Sequence, residues 1–126
     1  MTRKVFLAQP NHQYGSNVFL PYSVGLLQAH ALTDPSIAEA YTFPEMLFLR
    51  EDPQAVVARW VDPDVIGLSF YVWNEQYQHA LGRALKTAYP ACLVVAGGPQ
   101  VPQKVPRDYF EQHPWIDILV HNEGEH

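Results

Sequence analysis

Short apolar runs alternate along the chain with segments whose apolar residues recur at helical spacing. The runs predict strands over residues 4–9, 37–43, 64–71, 92–96 and 117–120. The helical spacing predicts helices over residues 21–30, 53–60, 74–89 and 107–112. Strands and helices that alternate in this way predict a parallel sheet with helices packed on both of its faces.

The segment 74–89 has the strongest helical pattern, because its apolar residues recur three and four positions apart. The predicted apolar face consists of Tyr77, Ala80, Leu81, Ala84, Leu85 and Ala88. His79 falls on the other side of this helix, which predicts a surface residue. Asp52 followed by Pro53 is typical of a helix start, with an N-cap and a first-turn proline.

Five parallel strands with right-handed crossovers fit a doubly wound, flavodoxin-like (Rossmann-type) α/β fold with strand order 2-1-3-4-5. In that order a ligand crevice opens at the carboxyl ends of the first and third strands. The loops 10–17 and 71–74 therefore form the predicted site, with the turns after the fourth and fifth strands beside them. No linker or repeat interrupts the sequence, which predicts one domain over residues 1–126.

Composition narrows the classes of partner and compartment. A net charge of −5 gives no electrostatic reason to bind nucleic acid or an anionic membrane. The apolar run after Met1 is too short for a signal peptide or a membrane span, which predicts a cytoplasmic protein. Cys92 is the one cysteine, so the chain has neither an internal disulfide nor a cysteine-rich metal site.

The predicted site loops lack the motifs of several common activities. Neither the dinucleotide-binding glycine pattern nor a P-loop follows the first strand. Gln9 and Asn11 replace the acidic residues that a phospho-receiver needs, and Tyr71 stands where its aspartate would end the third strand. No serine occupies a nucleophile turn. The sequence thus predicts no catalytic residue and no metal ligand in this chain.

The same loops offer flat apolar surface, amide side chains and exposed backbone, which suit a large, mostly neutral ligand with amide groups at its rim. These residues are Asn11, His12, Gln13, Tyr14, Ser16 and Asn17 in one loop and Tyr71, Val72, Trp73 and Asn74 in the other. Gly97 and Gly98 allow backbone to approach a ligand, or they merely turn the chain before Pro99. Trp73 either faces the ligand or caps the core.

Four segments together resemble the cobalamin-binding domains that precede radical S-adenosylmethionine (SAM) domains. They are Gln9-Pro10-Asn11, Ser-Phe-Tyr-Val-Trp-Asn at 69–74, Val-Ala-Gly-Gly-Pro at 95–99, and Asn-Glu-Gly-Glu at 122–125. The resemblance implies that the chain binds cobalamin over the carboxyl edge of the sheet. It also implies a radical SAM domain, holding a [4Fe–4S] cluster and SAM, after residue 126 of a larger parent chain. Cys92 alone cannot supply the three-cysteine cluster motif of that domain.

The resemblance also assigns the candidate cofactor-binding residues. Those expected along the nucleotide tail are Ser69, Gly97, Gly98 and Pro99. Those expected beneath the corrin ring are Tyr71, Val72 and Trp73. Those expected at the edge of the ring are Asn122, Glu123, Gly124 and Glu125. The loop after the first strand adds Asn11, Tyr14, Gly15, Ser16 and Asn17.

By the same resemblance, the parent is a methyltransferase that passes a methyl group from SAM through methylcobalamin to a substrate carbon radical. A cyclase or a ring-contracting enzyme remains an alternative parent. A different class of function also stays open, because a non-catalytic flavodoxin-like module could bind another ligand or a protein partner. The two classes differ in one observable property, the retention of a corrin spectrum.

His12 is a candidate axial ligand of cobalt, because His12 and Gly15 keep the H-x-x-G spacing of other cobalamin domains. Those domains orient the histidine with an aspartate two residues earlier, and Pro10 stands there without a side-chain acceptor. We therefore expect His12 to be an ordinary loop residue, and Trp73 to fill the space below cobalt.

Overall fold

The computed structural model describes residues 2–124, so the candidate residue Glu125 lies outside the described residues. The strands are β1 (Arg3–Ala8), β2 (Gln13–Tyr14), β3 (Asn17–Val18), β4 (Tyr41–Thr42), β5 (Met46–Leu47), β6 (Val65–Ser69), β7 (Leu93–Gly97) and β8 (Ile118–Leu119). The helices are α1 (Tyr22–Ala31), α2 (Pro35–Ala40), α3 (Pro53–Arg59), α4 (Glu75–Ala88) and α5 (Tyr109–Gln112).

The main sheet is parallel, with the order β4-β1-β6-β7-β8, and β5 also pairs with β1. Val5 to Ala8 of β1 pair in register with Val65 to Leu68 of β6. β4 and β5 occupy the place of the second predicted strand, so the order 2-1-3-4-5 and the α/β fold class are confirmed. The sheet has six strands rather than five, because its outer strand is divided into two short pieces.

The predicted strand over residues 37–43 is wrong in its first half. Residues 35–40 form α2, and only Tyr41 and Thr42 pair with the sheet. Asp34 accepts a hydrogen bond from the backbone N–H of Ser36, and Pro35 occupies the first helical turn. This is the same N-cap and proline arrangement that begins α3 at Asp52, where the sequence pattern had predicted it.

The main core lies on one face of the sheet, under α3, α4 and α5. The strand residues in it are Phe6, Ala8, Ile66, Leu68, Val94 and Ala96. Trp60, which ends α3, is fully buried and stacks on Phe6 with ring centroids 4.7 Å apart. Trp115 and Ile116, between α5 and β8, complete this core.

Helix α4 packs on the core through a face that overlaps the predicted one: Leu81 and Leu85 are buried as predicted, and Tyr77 packs against the core. Its buried residues are Gln78, Leu81, Gly82 and Leu85. Ala80 and Ala88, which were predicted to be buried, are exposed. A Cβ added at Gly82 would lie 3.1 Å from side-chain atoms of both Leu68 and Trp115, so this glycine lets the helix approach the sheet closely.

The opposite face of the sheet is only partly covered. Val24 of α1 packs against Val5 and Leu7 of β1, and these three residues form a small second core. Towards β7 and β8 the strand residues Leu93 and Ile118 are about 40% exposed. Among residues 2–124, no helix is long and apolar enough to cross a membrane.

Candidate ligand-binding site

A pocket of about 500 Å³ lies on the partly covered face, between α1 and the sheet. It extends from the carboxyl ends of the strands to the middle of the sheet. Its lining comprises Leu7, Ser23, Val24, Leu27, Val65, Gly67, Leu68, Ser69, Tyr71, Val95, Gly97, Gly98, Pro99, Gln103, Val120, Asn122, Glu123 and Gly124. Most of this wall is apolar, and polar groups are concentrated near the carboxyl edge.

A glycine in each of two neighbouring strands lines this pocket. Alternate residues of a strand point to the same face, so Gly67 and Gly97 fall on the pocket side together with Ser69. A Cβ at Gly67 would lie 2.6 Å from Leu7 Cδ2, and one at Gly97 would lie 3.7 Å from Val120 Cβ. Sequence reasoning missed Gly67, although an isolated glycine inside a strand pattern often marks a close approach.

The structure brings together eight of the candidate residues in this pocket and leaves the other described ones outside its lining. The eight are Ser69, Tyr71, Gly97, Gly98, Pro99, Asn122, Glu123 and Gly124. Those outside the lining are Asn11, Tyr14, Gly15, Ser16, Asn17, Val72 and Trp73. Sequence reasoning also missed the contribution of α1, whose Ser23, Val24 and Leu27 form the wall facing the sheet.

The paired glycines after β7 have different tasks. Gly98 has φ +103°, and a Cβ there would lie 2.5 Å from the carbonyl oxygen of Phe70. The backbone of Phe70 also donates to the carbonyl of Gly97 at 2.7 Å and accepts from Gln100 at 3.1 Å. Gly98 is therefore required for close packing of two backbone segments, while Gly97 leaves volume in the pocket.

Two aromatic side chains stand at the carboxyl edge beside the pocket. Tyr71 and Trp73 stack with ring centroids 4.6 Å apart and planes 15° apart. The hydroxyls of Tyr71 and Ser23 are hydrogen-bonded at 2.5 Å, which ties this pair to α1. The guanidinium of Arg50 donates to the carbonyl of Trp73. Trp73 is 41% exposed, so one face of the stacked pair is open to a ligand or to solvent.

The loop after β1 is a hairpin rather than an open loop. β2 and β3 pair antiparallel on either side of Gly15, which has φ +59°. The amide of Asn11 donates to the carbonyls of Phe19 and Leu20 at 3.0 Å each and so holds the base of the hairpin. His12 is exposed, and its ring lies 5.2 Å from that of Tyr14.

His79 is not the surface residue that the helical pattern predicted. Its side chain is only 17% exposed and packs against Phe70, His113 and Trp115. The indole of Trp115 donates to its Nδ1 at 3.0 Å. Burial, together with the nearby charges of His113 and Arg83, lowers the pKa of His79 from 6.5 to about 4. The prediction failed because this side of α4 faces the segment before β8.

The described residues offer neither a cluster of metal ligands nor a reactive thiol. No three His, Cys, Asp or Glu side chains in this part of the chain are grouped closely enough to hold a metal ion. Cys92 is buried, and burial raises the pKa of its thiol, which favours the protonated form. In this environment Cys92 packs as a small apolar residue.

Two curated proteins are similar in sequence. The chain is 49% identical over 107 residues to a 2-(S-pantetheinyl)-carbapenam-3-carboxylate methyltransferase of Streptantibioticus cattleyicolor. It is 48% identical over 107 residues to the cobalamin-dependent radical SAM methyltransferase TokK of Streptomyces tokunonensis. Each match covers 85% of this chain and 16% of the relative, so the chain spans 16% of the length of these relatives. No protein-family model matches the chain.

Solved structures share the fold at low sequence identity. A CheY-like protein (tadZ) from Pseudomonas aeruginosa PAO1 has a TM-score of 0.62 at 20% identity, over 98% of this chain and 84% of that one. A cobalamin-binding protein from Desulfitobacterium hafniense DCB-2 has a TM-score of 0.58 at 16% identity, over 98% and 56%. The structural matches confirm the flavodoxin-like fold, and the sequence matches confirm the resemblance to cobalamin-dependent radical SAM methyltransferases.

Proposed function

We propose that this chain, which is homologous to a segment of cobalamin-dependent radical SAM methyltransferases, binds cobalamin with its nucleotide tail in the pocket between α1 and the sheet. One observation carries the proposal. Eight residues assigned by the family resemblance, from three separate segments of the sequence, line a single pocket. The carboxyl ends of adjacent parallel strands share one edge in any fold of this type, and in this chain that edge opens into a pocket of about 500 Å³.

The pocket suits this part of the cofactor in size and in chemistry. Its volume falls within the range of about 300–1,000 Å³ for small-molecule sites. Gly97 leaves room for a flat ring against the sheet, beside the apolar side chains of Val65 and Val95. The described lining includes the carboxylate of Glu123 but no lysine or arginine, which disfavours a ligand that carries several phosphates.

The parent protein is proposed to be a methyltransferase in which this domain holds the cofactor. When bound, cobalamin supplies a cobalt centre that carries a methyl group between SAM and the substrate. The residues of this chain bind and orient the cofactor and exclude water from its lower face. The [4Fe–4S] cluster and SAM are assigned to a radical SAM domain of the same parent chain, as the names and length of the relatives support. A cytoplasmic location stays part of this proposal.

Binding to the pocket is tested by filling it from the sheet side. Gly97→Val adds a side chain where the nearest neighbour is an ordinary 3.7 Å contact, so we expect the fold to persist. The valine would occupy the volume proposed for the tail, and we expect at least a tenfold loss of affinity for hydroxocobalamin, or about 1.4 kcal/mol. Titration followed by corrin absorbance measures the affinity, and circular dichroism checks the fold.

Ala80→Val is the matched control, because Ala80 is exposed on α4, on the far side of the sheet. This variant adds similar bulk and should bind cobalamin like the wild type. A folded Gly97→Val variant with unchanged affinity would refute the tail site. If the wild-type chain retains no corrin spectrum, or binds a flavin instead, the rival function as a module for another ligand or a partner is favoured.

The stacked pair Tyr71 and Trp73 is proposed to lie beneath the corrin, without a histidine ligand to cobalt. Trp73 offers a flat apolar face at the carboxyl edge, next to a residue that lines the pocket. His12 is exposed on the hairpin, and the carbonyl of Pro10 already accepts a hydrogen bond from Asn74 at 3.1 Å. Pro10 has no side-chain acceptor in the place of the aspartate that would orient the imidazole.

Trp73→Ala should open the lower face of the cofactor to water, which changes the cob(II)alamin electron paramagnetic resonance spectrum and makes its reduction harder. The spectrum and the redox midpoint of the bound cofactor are the measurements. His12→Ala, the paired variant, should leave both unchanged. If the redox midpoint in Trp73→Ala equals that of the wild type, Trp73 is only a packing residue. If the electron paramagnetic resonance spectrum shows a nitrogen splitting that disappears in His12→Ala, His12 is the ligand of cobalt.

A further inference from the structure

Asn74 occupies the first position before α4 but does not act as an ordinary helix cap. Its side chain makes no capping hydrogen bond to the helix, although asparagine is among the preferred N-cap residues. It is also only 1% exposed, which is unusual for a polar residue at a helix start. A buried amide is costly unless its hydrogen bonds are made, so its partners indicate its task.

All the hydrogen-bonding groups of the Asn74 amide are used, and they join three segments of the chain. Its Oδ1 accepts from the backbone N–H of Tyr71 at 2.8 Å. Its Nδ2 donates to the carbonyl of Pro10 at 3.1 Å and to that of Ser69 at 3.0 Å. Asn74 therefore connects the entrance of the hairpin, the end of β6 and the turn 71–74. These are the segments on the two sides of the predicted crevice.

A second buried amide, one helical turn further along α4, has a different set of partners. Gln78 is fully buried, and its Nε2 donates to the carbonyls of Ala8 at 2.8 Å and of Ser69 at 3.1 Å. It holds together the ends of β1 and β6, and its backbone N–H donates to the Asn74 carbonyl at 2.8 Å. Both amide side chains donate to the Ser69 carbonyl, but the bond to the Tyr71 N–H comes from Asn74 and not from Gln78.

The turn 71–74 carries the stacked aromatic pair. Asn74, the last residue of this turn, holds the backbone of Tyr71 through its side chain. The Tyr71 hydroxyl is tied to Ser23, and the Trp73 carbonyl accepts from the guanidinium of Arg50. Asn74 is the buried residue of this turn: its Oδ1 accepts from the Tyr71 N–H, and its Nδ2 donates to the carbonyl of Ser69 at the end of β6. Without this side chain, the turn loses a hydrogen-bonded link to the end of β6, while the backbone N–H groups of Asn74 and Glu75 still donate to the Tyr71 carbonyl.

We propose that Asn74 is a positioning residue. It fixes the distance between the Tyr71 and Trp73 pair and the bound cofactor, and so controls the access of water to the lower face of cobalt. The inference rests on the proposed function for its cofactor. The part that concerns the protein alone, the placement of Trp73, is independent of any ligand. A test can therefore separate the two.

Asn74→Asp is the most direct variant, because it keeps the shape and the acceptor but replaces both donors to Pro10 and Ser69 with an oxygen that repels their carbonyls. Without cofactor, we expect stronger acrylamide quenching of tryptophan fluorescence. The signal reports on Trp73, since Trp60 and Trp115 are buried. With cofactor, the cob(II)alamin spectrum and midpoint should shift in the same direction as in Trp73→Ala, while affinity for cobalamin changes less than in Gly97→Val.

Two further variants keep the test decisive. Asn74→Ser retains one donor and one acceptor and should give an intermediate shift, which also serves if the aspartate variant does not fold. Gln78→Glu perturbs the other buried amide that donates to the Ser69 carbonyl but keeps the bond between Asn74 and the Tyr71 N–H, so it should lower stability and leave quenching and spectrum near wild-type values. Wild-type quenching and midpoint in a folded Asn74 variant overturn the inference. If the Asn74 variants show increased quenching and the wild-type chain binds no cobalamin, the proposed function is overturned and the placement of Trp73 by Asn74 stands.

Discussion

The two faces of the sheet are built from the same strands, yet they differ in how completely they are filled. On the core face, neighbouring strands contribute Phe6, Ile66 and Val94, which are all buried under α3 and α4. On the other face, the alternate positions of β6 and β7 include two glycines and a serine, and α1 is the one described helix that lines the pocket above them. Since consecutive strand residues point to opposite faces, each strand serves both purposes at once.

The two faces differ in where large side chains lie. The core face uses large side chains wherever two layers meet, and Trp60 alone fills much of the space between α3 and the sheet. The pocket face omits side chains at Gly67 and Gly97, next to small or β-branched neighbours. A sheet that is closely packed on one face and open to a pocket on the other supports the ligand site proposed above.

The largest expected effect contrasts two adjacent residues of β6. Ile66→Ala empties a fully buried position of the core face, and we expect it to lower the free energy of unfolding by about 2–5 kcal/mol. Val65→Ala, on the pocket face, should cost about 1 kcal/mol or less, because its side chain is already partly exposed. Chemical denaturation measures both values.

For cobalamin affinity, the comparison of the two faces predicts the larger loss in Val65→Ala and the smaller loss in Ile66→Ala. Val65 lines the pocket, so its alanine variant should weaken cobalamin binding, whereas folded Ile66→Ala should bind like the wild type. Equal stability losses at the two positions would show that the faces are filled alike, and the comparison would fail.

A smaller effect is the dependence of the free energy of unfolding on pH, which arises from His79 on the core side of the sheet. His79 has a pKa lowered to about 4, against 6.5 in an unfolded chain, so the unfolded state binds more protons between these values. Stability should therefore fall as the pH is lowered from about 6.5 to 4, as the neutral ring packed against Trp115 becomes harder to keep. Urea denaturation at several pH values measures the slope.

His79→Gln should flatten this slope, while His30→Gln, at an exposed position of α1, should leave it unchanged. His113, Glu75 and Arg83 face the same ring and stay in place in both variants. A slope that is unaffected by His79→Gln would assign the acid sensitivity to other groups.

Apolar periodicity together with the crossover rule was sufficient to predict the sheet order and most helix bounds. It failed where tertiary contacts determine which residues are buried. The second strand was misplaced because residues 37–43 have apolar character, while the helix signal at Asp34 and Pro35 was overlooked. The buried face of α4 was only partly predicted, because alanines suit either face. Burial of Gln78 depends on two strand carbonyls, and no pattern along the helix announces them.

The candidate site was predictable at the level of segments rather than of individual walls. Parallel topology placed Ser69 and Gly97 together, because both lie near the carboxyl ends of adjacent strands. The contribution of α1 was not predictable, since its one fully buried residue, Val24, does not mark a face of the helix that encloses a pocket. The role of Gly98 in backbone packing required the position of Phe70, which only the folded chain supplies.

The division of the outer strand has a consequence for the behaviour of this protein in concentrated solution. β4 and β5 contribute two residues each and are separated by Phe43, Pro44 and Glu45, and β8 at the far edge is equally short. A long, flat edge offers unpaired N–H and C=O groups on which another chain can add a strand. Within residues 2–124, neither edge of this sheet presents such a row, and the proline removes one more donor. The short edge strands therefore leave few backbone groups on which another chain could add a strand.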